Sequence, residues 1–116
     1  MTKSGALDLI LPTTHFQVSP GVSVTIPVGL VNHSEQEERV QLVLEGVPDD
    51  WVAITNPEVQ VKPGERQEIQ FRIRPPRSNN IKTGQYLLCF RASSLTTLGL
   101  QKEIRASLLV GIVLFE

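Results

Sequence analysis

The chain has 116 residues, 41% of them apolar and 20% charged, enough to bury a globular core and too apolar for a disordered segment. A net charge of −1 excludes the broad basic footprint with which nucleic-acid binders displace phosphate counterions. The single cysteine, Cys89, excludes an intramolecular disulfide.

Prolines and glycines divide the chain into short segments, and none keeps a helical spacing of apolar residues for eleven positions. The first predicted strand is Ala6 to Leu11, continued after a kink by His15 to Val18. The second, Val22 to Val31, follows Pro20-Gly21 and sets Val24, Ile26, Val28 and Leu30 on one face. The third, Arg39 to Glu45, alternates as RVQLVLE, with Val40, Leu42 and Leu44 inward. Trp51 to Ile54 and Glu58 to Val61 make two short pieces.

The clearest pattern comes next. VKPGERQEIQFRIRPPRS puts a Pro-Gly turn before a strand, Gln67 to Arg74, with Ile69, Phe71 and Ile73 on one face and charges on the other. The seventh strand, Gln85 to Ser93, points Tyr86, Leu88, Phe90 and Ala92 one way. The last runs from about Leu100 to Phe115. Period two throughout predicts an all-β protein: an immunoglobulin-like antiparallel β-sandwich of seven or eight strands, forming one domain over 1–116. SPGVSVTIPVGLV and KPGERQEIQFRIR carry apolar triplets at the same offsets after Pro-Gly. We read them as two strands entering one core from opposite ends rather than as a duplicated domain.

Neither terminus carries a long apolar segment. MTKSGALDLILP lacks the apolar core and cleavage site of a signal peptide, and LLVGIVLFE is too short to span a bilayer. No membrane insertion by this segment is expected. Two origins fit: a complete cytoplasmic protein, or a domain excised from a longer envelope or secreted chain.

The order of features resembles a known family. SPG before a strand, the Asn-containing turn VNHSEQEE, EGVPDDWV, the second Pro-Gly turn, PPRS and then TGQY are similar to the bacterial immunoglobulin-like domains of the α-galactosidase-associated (NEW3) type, over about residues 16 to 93. The resemblance implies a spacer, accessory or binding module beside other domains, without catalysis. It also implies that Tyr86 braces the strand corner. In antibody domains that tyrosine stands two residues before the strand cysteine. Here Cys89 stands three after Tyr86, on the opposite face, and is no remnant of an intersheet disulfide.

Catalytic chemistry finds little support. His15 and His33 lack a paired ligand motif, so neither zinc nor any other cofactor is expected. Glu45, Asp49 and Asp50 are too few for calcium and lack its glycine-containing loop. Cys89 sits mid-strand between Leu88 and Phe90, away from any loop where a nucleophile would be set. The chain is read as a non-enzyme.

One feature stands out from that background. With Tyr86, Leu88 and Phe90 inward, Leu87 and Cys89 face out, Val43 faces out on the third strand, and the last strand is apolar on both parities. In an immunoglobulin-like topology these three strands share a sheet. Its outer face is therefore expected to carry an apolar protein-contact patch of Val43, Leu87, Cys89, Leu109 and Val113. The competing reading is that the N-terminal segment or a bulge-shifted register covers it. Loop ends offer a second candidate surface, NHSEQEE with SSLTTLG at one end and VPDDW with PPRSNNIKT at the other. The functional expectation is a protein–protein interaction or spacer module, partnering itself, a neighbouring domain or a larger assembly. The alternative is a carbohydrate-binding accessory domain of a larger bacterial enzyme or surface protein, although aromatics make up only 5% of the chain.

Overall fold

A computed structural model describes residues 6–77 and 83–111. Among the described residues nine strands follow in chain order: β1 (Leu7–Ile10), β2 (His15–Val18), β3 (Val24–Asn32), β4 (Glu38–Glu45), β5 (Val52–Ile54), β6 (Glu58–Val61), β7 (Arg66–Ile73), β8 (Gly84–Ser94) and β9 (Gln101–Val110). They form two layers. The first sheet has the order β1-β3-β7-β5, and the second β2-β9-β8-β4-β6. The fold is the expected immunoglobulin-like sandwich.

The predicted first strand divides because Pro12 cannot donate to a ladder, and the chain changes sheets there. β1 runs antiparallel to β3, with Leu9 opposite Leu30, whereas β2 runs parallel to β9, with Phe16 opposite Leu108. That parallel pair departs from an otherwise antiparallel sandwich. Residues 112–115, which the predicted last strand included, lie outside the described residues.

Both Pro-Gly turns have one construction. Val22 N–H donates to the Ser19 carbonyl (3.0 Å) and Glu65 N–H to that of Lys62 (2.9 Å), with Gly21 at φ 83° and Gly64 at φ 76°. Proline at the second position and a left-handed glycine at the third make type II turns. The strands they launch, β3 and β7, are antiparallel neighbours, with Ile26 opposite Phe71 and Val28 opposite Ile69. The matching sequence halves do enter one core from opposite ends. Closing the first turn also delays β3 to Val24 and leaves Val22 half exposed.

Alternation supplies the core. Ile26, Val28 and Leu30 of β3 and Ile69, Phe71 and Ile73 of β7 meet Val40, Leu42, Leu88, Phe90, Ala92 and Leu108 from the other layer, all essentially without solvent exposure. Phe71 and Phe90 join the sheets edge to face, their centroids 5.1 Å apart at 80°. Trp51 does not open a strand as expected. Pro48 starts a 3₁₀ turn over Asp49–Trp51, and the Trp51 ring packs at 59° on Tyr86, centroids 5.5 Å apart. Arg74 N–H then donates to the Trp51 carbonyl (2.8 Å), which ends β7 one residue before the predicted limit.

Candidate functional site

Register decides what the outer face of the second sheet carries. Across β4, β8 and β9 the outward positions align as Val43–Arg91–Glu103, Glu45–Cys89–Arg105, Leu87–Ser107 and Gln85–Leu109. Leu87 is 76% exposed, Leu109 45% and Val43 37%, while Cys89 is half buried. Val113 lies outside the described residues. Leu87 and Leu109 are diagonal neighbours, a separation of roughly 7–8 Å that long side chains span. β2 carries the face onward with His15 and Gln17 beside Ser107 and Leu109, so this N-terminal strand widens the surface rather than covering it.

The four described residues of the expected patch do not form one unbroken surface. Between Val43 and the two leucines stands an ion cluster. Arg91 Nε donates to Glu103 Oε2 at 2.7 Å, and its terminal nitrogens donate to the two Glu45 oxygens at 3.1 and 3.2 Å. Hydrogen bonds to Glu103 and Glu45 raise the Arg91 guanidinium above its ordinary pKa. The Arg91 hydrogen bond chiefly holds the Glu103 carboxyl low, with a weaker contribution from the Cys89 thiol. The apolar part of the face therefore contracts to Leu87 and Leu109, rimmed by Gln85, Ser107, His15 and Gln17.

The described parts of the two loop ends group at opposite poles, residues 78–82 of PPRSNNIKT lying outside the described residues. At one pole Gln36 Nε2 donates to Thr97 Oγ1 (2.9 Å), joining the β3–β4 and β8–β9 loops. The buried carboxylate of Glu38 anchors that pole. Ser94 Oγ donates to it at 2.5 Å, Thr97 Oγ1 at 2.9 Å, Gln36 Nε2 at 3.2 Å and Ser34 Oγ at 3.4 Å. Burial alone would raise this carboxyl, but the four hydrogen bonds outweigh it and hold it below the usual range. Buried Asn32 ties the layers together there, donating to the carbonyls of Val61 (2.8 Å) and Gln36 (2.9 Å) and accepting from Ser34 N–H (2.9 Å). At the opposite pole, Gly21, Asp50, Trp51, Arg74, Pro76 and Arg77 line a hollow of about 610 Å³.

His15 Nδ1 lies 2.9 Å from Ser107 Oγ, and His33 Nε2 lies 3.4 Å from Asp8 Oδ2. Among the described residues no group of three or more His, Cys, Asp or Glu side chains could hold a metal ion. No helix of the described residues is long and apolar enough to cross a membrane.

No family model and no curated protein matches the chain. Solved structures do. The fold is similar to a FixG-related protein from Vibrio parahaemolyticus at 14% identity and TM-score 0.68, covering 91% of this chain and 95% of that one. It is similar to a family 123 glycoside hydrolase from Clostridium perfringens at 10% identity and TM-score 0.73, covering 92% of this chain but 28% of that one. The periplasmic chaperone SfaE matches at 16% identity and TM-score 0.58, covering 89% of this chain and 57% of that one. These likenesses establish an immunoglobulin-like, PapD-like β-sandwich.

Proposed function

We propose that this chain is a non-catalytic interaction module that holds a protein partner on the outer face of its second sheet, with Leu87 and Leu109 at the centre of the contact. The observation that carries this reading is the pairing of two exposed leucines, diagonal to each other, on a broad sheet face whose neighbouring charges are already ion-paired. Burying both side chains would be worth about 1.5–3 kcal/mol each. Arg91, Glu45 and Glu103 satisfy one another and leave the leucines as the groups still unpaired with the rest of the molecule. An apolar centre with a polar rim is the usual anatomy of a protein contact.

A NEW3-type accessory role agrees with the likeness to one part of a bacterial glycosidase, of which this chain covers 28%. That likeness also favours the carbohydrate-binding alternative. Among the described residues, however, no Phe, Tyr or Trp ring is exposed to stack on a sugar. We therefore place protein contact first.

A photo-crosslinking amino acid at position 87 tests this reading in the full chain within its host cell. A discrete protein adduct is expected from position 87, suppressed by Leu109→Glu, with none from position 68 on the first sheet's outer face. Equal adducts from 87 and 68, or none from 87, would contradict it.

A further inference from the structure

The two poles of the sandwich differ in charge and in shape. Among the described residues, the arginines on the outer face of the second sheet are ion-paired: Arg39 with Glu58, Arg91 with Glu45 and Glu103, and Arg105 with Glu103. Arg74 and Arg77, by contrast, stand exposed around the Trp51 hollow, and among the described residues neither is in ion-pair contact with an acid. Their backbone is fixed. Arg74 N–H is bonded to the Trp51 carbonyl, and the Pro75 carbonyl accepts from Gly21 N–H at 2.7 Å. Arg77 lies so close over Gly21 that a Cβ added there would come within 3.2 Å of it. Asp50 is the one acid among the described residues that line the hollow with them.

The opposite pole is its complement. Glu35 and Glu37 are exposed on the β3–β4 loop, beside the β8–β9 loop that Gln36 and Glu38 hold through Thr97. At the tip of that second loop Leu98 is completely exposed, and Leu95 is 46% exposed. One end thus presents an exposed leucine on the loop beside two carboxylates. The other presents a hollow floored by Trp51 and Pro76 between guanidiniums.

We infer that a second copy of this chain docks head to tail, with Leu98 of one copy entering the Trp51 hollow of the next and Glu35 and Glu37 facing Arg74 and Arg77. Arginine suits this role because its planar fork pairs with carboxylates bidentately. The contact is heterologous, so it propagates along a line rather than closing a dimer. It is also weak. The two shorter extents of the molecule are 21 and 20 Å, so a pole buries less than the roughly 800 Å² per partner of a standard interface. It is best suited to copies already held near one another, where linkage raises the effective concentration. The inference is independent of the Leu87 face.

NMR of the full chain over increasing concentration tests it. Leu98 methyl and Trp51 indole signals are expected to shift together, and the shifts to shrink several-fold in concentrated salt. Glu35→Arg with Glu37→Arg should abolish them, as should Leu98→Asp at its fully exposed site. Mixing the first of these variants with one carrying Arg74→Glu and Arg77→Glu should restore a contact. Shifts that stay absent up to the solubility limit, persist in the charge-reversed variant, fail to return on mixing, or fall only on Leu87 and Leu109 would overturn the inference.

Discussion

Glu38 is a buried carboxylate without a cation. Four neutral donors hold it, from Ser94, Thr97, Gln36 and Ser34, and together they join the start of β4 to two loops. Because its folded pKa lies below the ordinary value of 4.5, the unfolded chain binds the proton more readily. The stability this group contributes is thus fully present above the unfolded value and is lost as pH falls through the folded one. Glu38→Gln is expected to cost about 1–3 kcal/mol at neutral pH, because an amide offers its donors to donors. It should also flatten the acid limb of a denaturation-against-pH series, and an unchanged acid limb would contradict the assignment. The sequence marks Asn32 only as a turn residue and gives Glu38 no role, although the parity of both is readable. Glu38 stands two before Val40 and Asn32 two after Leu30, so alternation carries both inward. A charged or amide side chain is ordinarily taken as exposed, and only the loop hydroxyls that satisfy Glu38 make its burial affordable.

The strands were legible wherever one face is buried, since period two then leaves a one-residue slip no freedom. β3, β4, β7 and β8 follow their predicted spans closely, and β6 coincides with its span. Sheet membership was less legible. Whether His15 to Val18 continues β1 or crosses to the other sheet depends on which edge is open, and that edge is made by β9, some ninety residues away. Trp51 likewise reads as strand until Pro48 and the Arg74 backbone are seen to close a turn around it. Phe71 of β7 meets Phe90 of β8 across the two layers. Removing either ring as Phe→Ala is expected to cost about 3–5 kcal/mol, and Phe→Leu less. A double-mutant cycle on the Leu variants, followed by chemical denaturation, should give a coupling of about 0.5–1.5 kcal/mol. A coupling near zero would mean that the edge-to-face contact adds nothing beyond burial.

Across the whole molecule, sequence parity located the outward leucines but not what lies between them. Val43, Leu87, Cys89 and Leu109 all stand on the outer face as their alternation requires. Cross-strand register, set by loop lengths, then puts Arg91 beside both Val43 and Glu103 and splits the face with charge. What remains is a pair of leucines whose exposure does nothing for the fold. Substitution there should leave folding stability within about 0.5 kcal/mol of the parent. The most direct measurement is the native assembly size of the full chain in extract at its natural level, compared with a Leu87→Glu, Leu109→Glu variant of equal thermal stability. The parent is expected in a larger species and the variant released from it. Co-elution of the two at one size, with stability unchanged, would contradict it.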